Sequence, residues 1–214
     1  MKAVHKNILL TGLVMGALLL GGCSQGAKVP DEIGQTSLVI DKEGLVTSHM
    51  VDVFDQSHYN LEELRQMAAE EVANYNTANQ VGTTAPITMV EAKKLPNDKV
   101  LVTYDYDGVD TYQNYNQTTL FYGTVAQARQ AGFQFDSLNQ VLFSADGKES
   151  MVSSKLGESD KDDKHVVILT ESTLVYCPYK VAYASENAII KEDGSVDTTA
   201  VLPEEYPVII LLDK

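Results

Sequence analysis

This 214-residue chain has two cysteines and four histidines, side chains that can act as nucleophiles, general bases or soft metal ligands. Cys177 lies in the apolar segment Leu174–Tyr179, a pattern typical of a strand whose alternate side chains face a core. A catalytic thiol needs a neighbouring base, and the residues beside Cys177 supply none. We therefore expect Cys177 to be a buried, unreactive core residue.

The histidines follow no recognised metal or catalytic motif. H-E-x-x-H is absent, and His49, His58 and His165 are scattered along the chain. His49 and His58 are nine residues apart across a predicted passage from strand to helix, so a shared site there is one alternative to solvated or hydrogen-bonded rings. The sequence also lacks G-x-S-x-G, a phosphate-binding glycine loop and a dinucleotide fingerprint. It therefore predicts no catalytic residue and no enzyme.

Three aspartates lie close together around a turn glycine. Asp105, Asp107 and Asp110 flank Gly108 and offer the hard oxygen ligands that calcium prefers. The segment resembles an EF-hand loop only loosely, because the glycine comes too early and no glutamate stands at the closing position. An acidic turn without a metal is the expected outcome, with calcium at these three residues as the weaker alternative.

A tyrosine-rich region overlaps this turn. Tyr104, Tyr106, Tyr112 and Tyr115 alternate with asparagine and glutamine, a mixture that stacks on and hydrogen-bonds to sugars or peptides. The alternative is that these rings pack at the rim of a sheet. The absence of tryptophan argues against a strong glycan platform. If the protein has a recognition surface, the sequence predicts it at these four tyrosines.

The other cysteine, Cys23, follows a short apolar segment with a basic start. Lys2 and Lys6 precede Ile8–Leu20, thirteen residues without a charge. A membrane-spanning helix needs about 20 apolar residues, so this segment is too short to cross a bilayer. A basic start followed by a short apolar run is the pattern of a secretory signal peptide. The alternatives are an N-terminal membrane helix and a plain signal peptide followed by an incidental cysteine.

The four residues Leu20-Gly21-Gly22-Cys23 resemble the lipobox of bacterial lipoproteins, which consists of an aliphatic residue, two small residues and a cysteine. In that family the thiol receives a diacylglyceryl group, and signal peptidase II then cuts before the cysteine. The resemblance implies a signal peptide over residues 1–22 and an acyl lipid such as palmitate on Cys23, with no other cofactor. It implies anchoring to the outer face of the cell membrane. In a cell with two membranes, Ser24 after the cysteine would permit transfer to the outer membrane.

A second resemblance involves two segments further along the chain. Phe121–Ala128 and Val181–Asn187 are similar to parts of uncharacterised lipoproteins from Gram-positive anaerobes. No activity accompanies this similarity, so it assigns no role to any residue.

The charge balance argues against nucleic acid as a partner. The chain has 16 basic and 30 acidic side chains, a net charge of −14, and cleavage before Cys23 would also remove two lysines. Binding to a phosphate backbone needs clustered lysine and arginine. We expect the membrane, through the lipid, to be one partner and a cell-wall fragment, a glycan or a protein to be another.

Two helices can be predicted from capping residues and apolar spacing. The first covers about residues 60–79: Asn60 can cap it, and its apolar side chains recur at spacings of three and four, at Leu61, Leu64, Ala68, Val72 and Tyr75. The second covers about residues 124–131, with Thr124 as the cap and Gly132 after its end.

About ten short apolar runs separated by turn residues complete the pattern, and βαβ alternation is missing. The sequence therefore predicts an α+β fold with a mostly antiparallel sheet. Residues 23–35 are small, polar and interrupted by proline and glycine, which indicates a lipidated tether. We expect residues 36–214 to form a single domain.

These features together predict a membrane-anchored lipoprotein of the cell envelope. Its expected role is that of a binding, structural or accessory module. The alternative is an envelope hydrolase acting on a cell-wall or glycan substrate, which would need a pocket that holds a perturbed acid, base or nucleophile.

Overall fold

The computed structural model of the protein describes residues 26–200 and 206–214. The predicted signal peptide and Cys23 lie outside these residues. The described chain combines thirteen strands with four α-helices, and the strands are mostly antiparallel. The predicted mixture of helices and mostly antiparallel strands is confirmed. The strands form two sheets, however, and not the one sheet that we expected.

The first sheet has seven strands, all antiparallel to their neighbours except β1 and β9, which are parallel. In spatial order the strands are β11 (Ile189–Ile190), β12 (Val196–Asp197), β9 (Leu174–Tyr176), β1 (Ser37–Ile40), β2 (Val46–Val53), β4 (Lys99–Tyr106) and β3 (Ile87–Leu95).

The second sheet has six strands and is entirely antiparallel. Its spatial order is β5 (Leu120–Thr124), β8 (His165–Leu169), β13 (Val208–Leu212), β10 (Val181–Ser185), β6 (Val141–Ser144) and β7 (Ser150–Val152). The central strand β13 is apolar and buried at every residue, because both faces of this sheet are covered.

The four helices are α1 (Leu61–Asn79), α2 (Val109–Asn116), α3 (Val125–Gln130) and α4 (Phe135–Leu138). The two predicted helices are α1 and α3. The Asn60 side chain accepts hydrogen bonds from the backbone N–H groups of Glu62 and Glu63, and Thr124 forms a reciprocal capping box with Gln127.

No sequence pattern predicted α2 and α4. Helix α2 begins after Gly108 without a side-chain cap, and its residues are mostly tyrosine, asparagine and β-branched, which have low helix propensity. It forms because Tyr112 is buried against Tyr106, with the ring centroids 5.0 Å apart. This is a tertiary contact that local patterns do not show.

Two apolar clusters hold the layers together. One lies between the inner face of the first sheet, one face of the second sheet and α1, and it includes Leu38, Val72 and Ile210. The other lies on the opposite face of the second sheet, beneath α3 and α4. No helix in the described part of the chain is both long and apolar enough to cross a membrane.

The first sheet has two opposite ends, which differ in the residues that lie there. The turn containing Lys42 joins β1 to β2 at one end, and Val53 pairs with Lys99 at the other. We call them the Lys42 end and the Lys99 end. The eight residues of β2 separate them by about 25 Å, at about 3.3 Å per residue.

The N-terminal described residues run along the outer face of this sheet from one end to the other. At the Lys42 end, the N–H of Ala27 donates to the carbonyl of Cys177 at 3.2 Å. Towards the Lys99 end, the Thr36 hydroxyl donates to the carbonyl of Val51 and accepts from its N–H. The chain therefore enters the fold at the Lys42 end.

Candidate binding groove

An open apolar groove lies at the Lys99 end, between β2, the start of β4 and the first half of α1. Its volume is about 450 Å³. Large apolar side chains on its walls are strongly exposed: Met50 by 50%, Val53 by 56% and Met67 by 62%. Leu64, Val100 and Val102 also line it. Clustered exposed apolar side chains of this kind are typical of binding surfaces, whereas isolated exposed apolar residues are ordinary.

The groove exists because neighbouring strands differ in length. Strand β2 pairs with β4 along all eight of its residues but with β1 only from Val46 to His49. The part from Met50 to Val53 therefore extends beyond β1 and has no strand on that side. The Thr36 hydroxyl takes the place of a partner strand at Val51. This overhang leaves the apolar side chains at the end of β2 without a covering layer.

Aromatic rings form one end of the groove. Phe54 and Tyr59 lie with their ring centroids 5.0 Å apart, and His58 meets the edge of Tyr59 at 4.8 Å. The Lys94 ammonium lies 5.5 Å from the centre of the Phe54 ring. Because Asn60 caps α1 directly after Tyr59, the start of the helix fixes this aromatic corner. His58 thus lines the groove, whereas His49 does not.

The rim of the groove carries negative charge. Asp52 and Glu63 line the opening, and Asp55 lies in the loop between them along the chain. Within residues 26–200 and 206–214, none of the three carboxylates forms an ion pair. The groove therefore combines apolar walls with unpaired carboxylates, a combination suited to an apolar segment with basic neighbours.

The tyrosine-rich region does not form the exposed surface that the sequence suggested. Tyr104, Tyr106 and Tyr112 are at most 7% exposed, and only Tyr115 is half-buried. The rings pack against one another because alternate residues of β4 face α1 and α2. The Tyr112 hydroxyl donates to the Glu171 carboxylate at 2.7 Å, and burial beside this carboxylate raises the Tyr112 pKa well above its usual range.

The three candidate calcium ligands are engaged separately. Asp105 accepts a hydrogen bond from Thr47 at 2.6 Å, and Asp107 accepts one from Thr111 at 2.5 Å. Asp110 lies in the first turn of α2. No group of three or more potential metal ligands is found within residues 26–200 and 206–214.

The buried thiol and the buried imidazole are not arranged for nucleophilic chemistry. Cys177 is 2% exposed, and burial raises its thiol pKa to about 12, so the nucleophilic thiolate is disfavoured at neutral pH. His49 Nδ1 lies 3.1 Å from the Ser37 hydroxyl, on the outer face of the first sheet. Ser37 is only 2% exposed, so a substrate has no direct access to its oxygen.

Two histidines make the stability of the fold dependent on pH. Burial lowers the pKa of His49, and burial together with the nearby Lys214 ammonium lowers the pKa of His165. Both rings therefore resist protonation in the folded protein, whereas in the unfolded chain they take up protons near their ordinary pKa of 6.5. Acidification through this range consequently favours the unfolded state, and the free energy of unfolding falls.

We expect the urea midpoint to fall between about pH 7.5 and about pH 5.5, and the fall to be smaller in a His49→Gln/His165→Gln double variant. His58→Gln, which replaces an exposed ring, is the control, and its urea midpoint should fall with pH as much as that of the wild type. If the urea midpoint fell equally in the wild type and in the double variant, these two rings would not be the cause of the pH dependence. Chemical denaturation at several pH values makes the measurement.

Comparisons with known proteins leave the groove as the main guide to function. No family model matches the chain, and neither a curated protein nor a solved structure matches it. No sequence pattern predicted the groove, although the sequence holds one signal of it. Met67 is a large apolar residue outside the buried stripe of α1, so no core contact explained its presence.

Proposed function

We propose that this protein is a membrane-anchored lipoprotein of the cell envelope that binds an apolar segment of a protein partner in the groove at the Lys99 end. The lipobox-like sequence at Leu20–Cys23 supports the anchor. The observation that carries the binding role is the clustered exposure of Met50, Val53 and Met67 around one groove. An accessory or binding module of this kind needs no catalytic group.

The position of the groove supports display away from a membrane. The N-terminal segment contacts Cys177 at the Lys42 end, and the groove lies at the opposite end of β2. An anchor on Cys23 would therefore leave about 25 Å of sheet between the membrane side and the groove. A partner could reach the groove without approaching the lipid headgroups.

The lining of the groove favours a protein segment over a glycan. Beside the aromatic corner, its walls are aliphatic side chains and two methionines, and methionine adapts to irregular apolar surfaces. Exposed aliphatic and methionine side chains suit an apolar protein segment better than they suit the hydroxyl-rich faces of a glycan. The unpaired carboxylates of Asp52, Asp55 and Glu63 add a preference for basic residues beside the apolar ones.

A displayed-peptide selection on the mature protein tests this proposal. We expect the enriched peptides to combine large apolar residues with lysine or arginine. Met67→Asp should weaken the selected peptides at least about tenfold, because it places a charge against the apolar wall of the groove. Val81→Asp is the matched control, since Val81 is 91% exposed and lies outside the groove.

Fluorescence anisotropy with labelled peptides gives the affinities, and thermal unfolding confirms that both variants remain folded. Enrichment of no peptide at all would contradict the proposal. Equal weakening by Met67→Asp and Val81→Asp would show that the selected peptides bind elsewhere on the protein.

A further inference from the structure

Two lysines converge on one tyrosine ring at the Lys42 end. The Lys214 ammonium lies 4.7 Å from the centre of the Tyr179 ring, and the Lys42 ammonium lies 5.5 Å from it. Lys214 also lies 3.2 Å from Nε2 of His165, whose pKa it lowers. Lysines 42 and 214 are 172 positions apart in sequence, so only the fold brings their charges together.

These two lysines have no ion pair within the described residues, although the chain is strongly acidic. Two of the neighbouring carboxylates along the chain have other partners. Asp41 accepts hydrogen bonds from the backbone N–H groups of Glu43 and Leu45, and Asp213 pairs with Lys164 at 3.7 Å. Glu43 is the neighbouring carboxylate that stays exposed. Glu43, Asp107 and Asp110 line the same recess as Lys42 but form no ion pair with either lysine, so the two ammonium groups remain available to an external anion.

The N-terminal segment reaches the fold at this same end. Gly26 lies so close to the backbone of Cys177 and Pro178 that a Cβ atom added to it would come within 2.1 Å of the Cys177 carbonyl oxygen. This close approach requires glycine at position 26. Gly26 lies three positions after Cys23, a span of at most about 11 Å. A lipid on Cys23 would thus enter the membrane beside the two lysines.

We propose that the Lys42 end docks on the anionic headgroups of the membrane, with Lys42 and Lys214 beside Tyr179 as the contact. This inference rests on the lipid anchor of the proposed function. Lysines close to an anionic bilayer are attracted within about one Debye length, about 8 Å at physiological salt. The rest of the domain is strongly acidic and is repelled by the anionic headgroups. Docking at this end therefore holds the groove on the side away from the membrane.

Energy transfer from the Lys99 end to labelled lipids tests the orientation. The lipidated Lys99→Cys protein, carrying a donor dye at position 99, is reconstituted in vesicles of phosphatidylcholine alone or with phosphatidylglycerol. Cys177 is buried and should not react with the dye. We expect weaker transfer to the headgroup acceptor in the phosphatidylglycerol vesicles, because docking of the opposite end moves position 99 away. High salt should remove the difference.

The Lys42→Gln/Lys214→Gln double variant should lose the dependence on phosphatidylglycerol while still floating with the vesicles. Lys93→Gln/Lys94→Gln removes the same charge near the Lys99 end and should keep the dependence. Equal energy transfer from the wild type in both vesicle types would contradict docking by the Lys42 end. The same dependence on phosphatidylglycerol in the two double variants would also contradict it.

Flotation with vesicles distinguishes an error in the proposed lipid anchor from an error in the proposed docking face. A wild-type protein that does not float with vesicles contradicts the lipid anchor of the proposed function. The same chain attached by an N-terminal histidine tag to nickel-chelating lipids then tests the docking face by itself. Transfer that still does not depend on phosphatidylglycerol or on Lys42 and Lys214 overturns the inference.

Discussion

Replacing Cys23 by alanine is expected to abolish both the lipidation of the chain and the removal of its signal peptide. Two acyl chains with about 15 buried methylenes each, at about 0.8 kcal/mol per methylene, contribute of order 20 kcal/mol to membrane binding. Alanine has no thiol to form the thioether, so the lipid is never added and the signal peptide is not removed. The variant should therefore be an uncut precursor without the lipid.

Metabolic labelling with a fatty acid measures the lipidation, and the electrophoretic mobility of the chain shows whether the signal peptide was removed. Cys177→Ala is the matched control because it removes the only other cysteine, which is buried in the fold. We expect this control to be lipidated and cut like the wild type. Normal labelling of Cys23→Ala would refute the assignment of the lipid to this residue.

Ile210→Ala is expected to have the largest effect on the stability of the fold. Ile210 is 0% exposed in the middle of β13, where it pairs with Val167 on β8 and with Ala184 on β10. Its side chain belongs to the cluster that joins the two sheets and α1. Shortening it leaves a cavity that costs about 2–5 kcal/mol. For a domain of this size, the melting temperature should fall by about 5–15 °C.

Ile189→Ala is the control for the same chemical change, because Ile189 is 57% exposed on β11. It should alter the free energy of unfolding by less than about 0.5 kcal/mol. Thermal and urea unfolding give both values, and hydrogen exchange reports each sheet separately. If only the second sheet lost protection in Ile210→Ala, the two sheets would not share one cooperative core.

The sequence indicated the parts of this protein that depend on local patterns. Helices α1 and α3 were predicted because Asn60 and Thr124 cap them and because their apolar residues follow the helical period. Many strands were predicted from their apolar runs. Burial of Cys177 was predicted from the apolar strand around it and is confirmed.

Local patterns did not reveal which side chains would become exposed. The sequence left open whether Tyr104, Tyr106 and Tyr112 pack in the fold or form a recognition surface, and the structure shows them packed. Tyr112 lies on the uncapped α2 and covers Tyr106 of β4. The groove shows the opposite case, because the apolar side chains at the end of β2 are exposed only where β1 stops short of them. Burial depends on which neighbour lies above a strand, and tertiary packing sets that neighbour.

The sequence by itself carries the proposed address of the protein, because lipidation and cleavage would act on a short linear segment around Cys23. Only the tertiary structure decided where Gly26, three positions after the proposed anchor, lies relative to the rest of the molecule. The fold brings Gly26 to Cys177, gathers Lys42 and Lys214 around Tyr179, and places the groove at the other end of β2. These positions follow from strand pairing between residues far apart in the chain, which no local spacing records.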